Sequence, residues 1–340
     1  MRLIDLVKAN LHKNWSWYGL SMNPNITWQD VQDNPNLPWY FRSLSMNPNI
    51  TWEIVQANPD KPWDWNGLSR NPNITWGIVQ ANPDKPWCWI SLSWNPSITP
   101  EIVQANPDKD WDWPWLSKNP NITLEFVQAN LDKPWNWFEL SENPNITLEF
   151  VKANPDMPWS WWGLSENPSI TWDIVQANQD KPWNWDRLSA NPNITPEIVQ
   201  ANPDKPWNWD RLSANPNITL DIVQANLDKP WEWYWLLSLN PNITWDIIQA
   251  NPDKHWNWEY LSANPNITPD IVDENPDEKW DWYELSHNKF SKYNFPLPVM
   301  KRRAKERTDK IRQELIEKVF APHRVEKWIE YYGMDWDEKV

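Results

Sequence analysis

Residues 51–74 read Thr51-Trp-Glu-Ile-Val-Gln-Ala-Asn-Pro-Asp-Lys-Pro-Trp-Asp-Trp-Asn-Gly-Leu-Ser-Arg-Asn-Pro-Asn-Ile74, and the pattern returns every 24 residues. The threonine of the Asn-Pro-Asn/Ser-Ile-Thr string stands at Thr27, Thr51, Thr75, Thr99, Thr123, Thr147, Thr171, Thr195 and Thr219. One extra residue near Leu236 and Leu237 moves the next to Thr244, and Thr268 restores the period. A fixed period specifies stacked units, because one such unit is too small to bury its own apolar side. Residues 180–202 and 204–226 differ only at Pro196/Leu220 and Glu197/Asp221. Copies can therefore be compared inside one chain: invariant positions report what the stack needs, variable ones what it tolerates.

The first half of the unit has the pattern of a short helix. Thr supplies the N-cap, and Pro100, Pro196 and Pro269 take the first helical position, where a missing N–H costs least. Glu53, Glu101 and Asp173 suit the positive end of the helix dipole. Ile50 with Val55, and Ile98 with Val103, have the spacing of a hydrophobic staple. The Asn-Pro step ends the helix, since proline disfavours helical geometry in the residue before it. In the second half, Asp-Lys-Pro is expected to start another short helix or 3₁₀ turn. Asp60 or Asp84 would accept the N–H of Trp63 or Trp87, and Trp65 and Leu68 would share a face.

Strings such as Leu188-Ser-Ala-Asn-Pro-Asn-Ile-Thr-Pro-Glu-Ile-Val199, with their period, resemble the leucine-rich variant repeat, which alternates an α-helix with a 3₁₀ helix. The W-x-W segment departs from that pattern. The Trp-rich form looks more like the NPNIT/WxW repeat proteins of giant DNA viruses of amoebae, over residues 4–288. The resemblance implies an all-α fold: a right-handed α-solenoid of about 12 stacked units, in the virion or the host-cell cytoplasm. It implies no activity.

Of the 34 Trp, 12 stand first in W-x-W, 11 stand second, where Phe41 substitutes once, and five follow the Thr cap. This regularity assigns them to a periodic aromatic core. Two Trp so close on one short turn cannot both point inward, so one of each pair is expected to be only partly buried. The recurring Asn, such as Asn58 and Asn71, are expected to form buried ladders satisfying loop backbone groups. The Asp column (Asp60, Asp84, Asp108, Asp132) suits capping better than calcium, because one Asp per unit without Gly-rich turns is a poor cage.

Function then falls to the variable positions, the two residues after W-x-W and the one before the second Asn. Trp94, Trp115, Phe138 and Trp162 are large apolar groups at such positions in consecutive units, and Tyr234 and Trp235 repeat the theme. Together they are the candidate partner-binding residues. His12, His255, His287, His323 and Cys88 show no metal-ligand spacing, and no nucleophile motif or phosphate-binding Gly loop occurs. No catalytic, metal or cofactor site is therefore expected. The net charge is −15 overall and −19 over residues 1–288, which argues against gripping nucleic-acid phosphates. No apolar run approaches the roughly 20 residues of a membrane span, and the N-terminus lacks a signal-peptide core.

Two regions follow: a repeat solenoid over 1–288, and a tail over 289–340 expected to form a helical C-terminal cap carrying the basic string Lys301–Arg307. Repeat arrays shield their stacking faces with adapted end units. Asp30 in place of the core Ile, with Arg2, Asp5 and Lys8 on the opening helix, fits an end unit of an open, elongated stack. The leading functional reading is a non-catalytic scaffold for a protein partner. A self-assembling structural component is the alternative, and nucleic-acid binding ranks third.

Overall fold

The computed structural model describes residues 1–226, 229–231 and 238–290, which belong to one compact unit, Met1–Lys292. Among the described residues there are 23 short helices and no strand. Each repeat contributes a first helix directly after Thr, as in Trp52–Ala57, and a second from the second Trp of W-x-W, as in Trp65–Arg70. Both are six-residue α-helical turns, far below the roughly 12 residues at which an isolated helix becomes marginal in water. They exist because they are stacked.

Capping follows the sequence in the first helix and departs from it in the second. Thr123 and Thr147 accept the N–H of Phe126 and Phe150. The hydroxyls of Thr51 and Thr99 bond instead to Glu53 and Glu101, holding those carboxyls below the usual carboxylate range. In the second helix Asp60 is not the cap. Lys61 N–H bonds to Asn58 O and Trp63 N–H to Lys61 O; this turn leaves Asp60 exposed beside Lys61. The cap is the middle residue of W-x-W: Asp64 accepts the Gly67 N–H at 2.8 Å and Asn184 that of Arg187 at 2.9 Å.

Ile50, Val55, Leu68 and Ile74 are buried between the two helices. The first Trp of the pair enters this core: Trp87, Trp111 and Trp135 are buried, with the Trp87 indole N–H donating to Asn82 O at 2.8 Å. The second Trp is half-buried and meets the next unit's first Trp edge-on, as in Trp65 with Trp87 (5.1 Å, 82°) and Trp89 with Trp111 (5.2 Å, 89°). Each such pair adds about 1 kcal/mol beyond its buried area.

Polar bonds fix the register between units. Asn71 Nδ2 donates to Ser45 O (3.0 Å) and Asn47 O (2.9 Å) of the preceding unit, and its Oδ1 accepts the Asn73 N–H (2.9 Å). Asn73 Nδ2 donates to Pro48 O and Ile50 O. Asn47, Asn95, Asn119, Asn240 and Asn288 repeat the first pair of bonds. Ser97 and Ser169, in place of the second Asn, keep its bond to the preceding Ile carbonyl through Oγ. Ser45 Oγ also accepts the Asp64 N–H at 2.8 Å.

The first unit makes the same bonds, and its partner is the last unit. Asn23 Nδ2 donates to Ser286 O (3.0 Å) and Asn288 O (2.8 Å), and the Ser16 N–H to Ser286 Oγ (2.9 Å). Trp15 meets Trp282 edge-on (5.0 Å, 72°). Lys13 Nζ lies 5.4 Å from the Trp282 ring, as Lys109 Nζ lies 6.0 Å from Trp89. The Met1 amino group pairs with Asp270. The solenoid is thus a closed ring, which corrects the expectation of an open stack with shielded ends. Leu3, Ile4, Leu6 and Val7 are buried, and their helix packs on Pro269–Glu274 of the last unit. Asp30 shields no end: it is buried in a capping box with Thr27 and receives Arg2 Nη1 at 3.1 Å. A unit-to-unit rotation that closes replaces two apolar end faces with one further interface.

Second helices of neighbouring units pack directly on one another, whereas first helices, apart from Leu3–Ala9 on Pro269–Glu274, stand further apart. In a ring the closer-spaced elements lie at smaller radius, so the second helices form the inner wall. Helix-packing distances of about 8–10 Å around such a wall leave a bore roughly 20 Å across between helix surfaces. The extra residue beside Leu236 and Leu237 and the expected C-terminal cap lie outside the described residues.

Asn23→Ala and Asn119→Ala remove chemically equivalent rungs, one at the seam and one within continuous chain. Each should lower stability by on the order of 3 kcal/mol by orphaning buried carbonyls, read as a lower urea midpoint. Solution scattering of the native chain should show a hollow particle. Only Asn23→Ala should increase its maximum dimension; equal dimensions for the two variants would contradict closure.

Candidate functional site

In the inner helix Trp65–Arg70, Leu68 is fully buried and points into the wall. At 3.6 residues per turn, Asn66 and Arg70 flank the opposite direction and face the bore, while Gly67 and Ser69 face the neighbouring units. Contacts agree with this wheel. Ser69 Oγ accepts the Cys88 N–H of the following unit at 2.9 Å. A Cβ on Gly67 would lie 2.9 Å from Ser45 Cβ and 3.0 Å from Arg42 O of the preceding unit, so glycine permits the close approach. The residue equivalent to Asn66 is exposed in every described unit, whether Tyr18, Arg42, Ile90, Asp186 or Tyr283. Both bore-facing positions are thus among the sequence-variable ones, while the third variable position, that of Gly67, lies at the unit interface.

The structure brings Trp94, Trp115, Phe138 and Trp162 to this wall, as two ridges rather than one continuous stripe. Trp94, 41% exposed, packs on half-buried Trp115 across a unit interface (5.8 Å, 48°). Two interfaces further on, Phe138 packs on Trp162 (5.1 Å, 32°), each 37% exposed. Between the ridges Lys118 pairs with Glu139 at 2.8 Å. Tyr234 and Trp235 lie outside the described residues.

Cations brace both ridges, and sequence reasoning did not single them out. Arg70 lies 5.5 Å from the Trp94 ring and 5.2 Å from Trp115, with Lys118 5.5 Å from Trp115. The Arg187 guanidinium lies 3.3 Å from the Trp162 ring centre and pairs with Glu166 at 2.6 Å. Their signal was available: each Arg occupies a variable position in a unit adjoining an aromatic one. A further exposed pair, Tyr18 with Tyr40 (5.8 Å), was also missed. Tyr40 is the middle residue of its W-x-W string, a position assigned no role from sequence.

Charge varies along the wall. Arg42, Arg70 and Lys118 stand at bore-facing positions of the earlier units, and Glu142, Glu166, Asp186, Asp210 and Glu259 at those of the later ones, where Arg187 and Arg211 occupy the adjoining position. Burial raises the Glu142 carboxyl above its ordinary range, and repulsion from Glu166 and Glu139 adds to this. Among the described residues no group of three or more His, Cys, Asp or Glu could hold a metal ion, and no helix is long and apolar enough to cross a membrane. No family model, curated protein or solved structure matches the chain.

A folded-state carboxyl raised above its unfolded value binds its proton more tightly in the fold, so Glu142 subtracts stability as pH rises through that window. Glu142→Gln should therefore melt higher than the native chain at neutral pH, by less than about 1 kcal/mol because the group is only partly buried. The gain should vanish below the ordinary carboxylate range. A melting series from pH 3 to 8 checks both signs.

Proposed function

We propose that the chain is a non-catalytic binding ring that holds a protein partner against its inner wall. The observation that carries this reading is the coincidence of variability and exposure: both bore-facing positions of the inner helix, those of Asn66 and Arg70, vary in residue type from unit to unit. Large, partly exposed aromatics braced by Arg are the side chains that dominate protein-binding hot spots. The −19 charge of residues 1–288 weighs against nucleic acid. Self-assembly draws support from the duplicated units at 180–202 and 204–226, but end-to-end growth needs a free stacking face, and closure uses both. The repeat's resemblance to Trp-rich repeats of giant amoebal viruses favours a role in the infected cell or virion.

Affinity capture from expressing cells, beside a variant with Trp94, Trp115, Phe138 and Trp162 changed to Ser, tests the reading. These residues lie on the bore side, away from the Leu68-type core, so the variant should retain the native circular dichroism spectrum and lose its principal partner. Identical capture by the two proteins would overturn the assignment of the face.

A further inference from the structure

First helices of neighbouring units stand further apart than inner ones, so a wedge opens between them beside each edge-on Trp pair. The chain fills most of these wedges with a ring of its own. In the unit from Thr51, Trp52 lies 6.4 Å from Trp65 and 5.7 Å from Trp87. Trp76, Trp172 and Trp245 repeat this triad. Where another residue follows Thr, the filler comes from elsewhere. Beside Pro100 it is Phe126 of the following unit, stacked on Trp113 (6.0 Å, 11°) and edge-on to Trp135 (6.0 Å, 87°). Beside Leu124 it is Phe150, 5.8 Å from Trp159. Leu148 is itself buried, and the helix of Pro269 receives the opening helix Leu3–Ala9.

The unit from Thr195 has neither filler. Pro196 stands where Trp52 does and Ile222 where Phe126 does, and the wedge is a cavity of about 230 Å³ walled by Pro196, Val199, Trp209, Ile218, Ile222 and Trp231. It has not collapsed. Trp209 and Trp231 meet at 5.0 Å and 88°, against 5.1 Å and 82° for Trp65 and Trp87 with Trp52 in place. The Asn ladder accounts for this, because Asn215 and Asn240 set the unit spacing through the inner loops whatever occupies the outer wedge. The unit from Thr75 shows what is missing. A cavity of about 420 Å³ runs past Trp76, Pro83 and Trp87 there, but its walls do not include Ile98, Ile102 or Trp111, the equivalents of Ile218, Ile222 and Trp231. Trp76 lies on Trp111 at 5.7 Å and covers that floor; Pro196 leaves it open.

The sister units identify the group that fits this space: an indole or a phenyl ring set against two Trp. Size agrees with them. A dry apolar cavity of about 150 Å³ holds benzene, so about 230 Å³ has room for an indole. An aliphatic group of equal volume would forgo the ring-to-ring contacts that Trp209 and Trp231 offer. We infer that the cavity between Pro196, Trp209 and Trp231 is a binding site for a planar aromatic ligand of indole size. The site lies in the outer layer and does not depend on the bore-facing residues. A free aromatic molecule and a tryptophan side chain of a partner present the same ring, and the backbone attached to the second tells them apart.

The test is titration of the full-length protein with indole, followed by calorimetry and by ligand-observed NMR. Indole should bind saturably, one molecule per chain. Two variants close the cavity with groups the chain already uses: Pro196→Trp supplies the ring that Trp52 supplies in its own unit, and Ile222→Phe the ring that Phe126 supplies. Both should keep the native circular dichroism spectrum and lose indole binding, and Pro196→Trp should melt higher than the native chain because it fills a void. Absence of saturable binding, or native affinity in either variant, would overturn the inference. N-acetyltryptophanamide then separates the sources. Its competition with indole assigns the site to a tryptophan side chain of a partner, and its exclusion while indole binds assigns it to a free aromatic molecule.

Discussion

One side-chain amide sets the geometry of the whole ring. The loop after each inner helix leaves carbonyls facing the next unit in a dry interface, where an unpaired acceptor is costly. Asn71 reaches the Ser45 and Asn47 carbonyls while its own oxygen holds the Asn73 N–H, so one residue ties its loop together and to its neighbour. Its short side chain carries two N–H donors and an acceptor from the same loop position. Trp and Leu supply the apolar area, but area alone is non-directional. The ladder fixes register and, with it, the angle at which unit follows unit.

This division explains what was visible in the sequence and what was not. The period, the Thr cap, the single buried Trp of each pair and the Asn ladder are local or nearest-neighbour properties, and each left a repeated mark. Closure is the sum of many small rotations, so no residue encodes it. A trace of it was nonetheless present: the opening helix keeps Leu3, Ile4, Leu6 and Val7 on its core side, where a true end unit would carry polar groups. The misplaced cap at Asp60 has a different origin. Its chemistry was right, but two backbone hydrogen bonds through Lys61 turn the chain first, and the capping task passes to Asp64.

The candidate face was legible as a set of positions and not as a surface. Variability marked Trp94, Trp115, Phe138 and Trp162, but only the burial of Leu68 and its equivalents fixes which way those positions look. The first helices present an exposed carboxylate in most units, as at Glu53, Glu101, Asp173 and Asp246. In the turns between helices Lys85 and Lys109 pair with the adjacent Asp84 and Asp108 at about 3 Å, exposed contacts that contribute little. On the inner wall the charges are drawn into pairs across unit interfaces, Lys118 with Glu139 and Arg187 with Glu166, and the bore-facing residues shift from Arg42, Arg70 and Lys118 to Glu142, Asp186 and Asp210 along the ring.

Closure also limits how this protein can evolve. An open repeat array can gain or lose a unit at either end with little consequence, because each unit contacts only its neighbours. A ring of twelve units must turn roughly 30° at every interface. Removing one of the near-identical copies at 180–202 and 204–226 would ask each remaining junction for nearly three degrees more, imposed on short hydrogen bonds of fixed length. Copy number, a freely drifting quantity in most solenoids, is here a geometric invariant, and novelty enters by substitution within units rather than by adding or losing them.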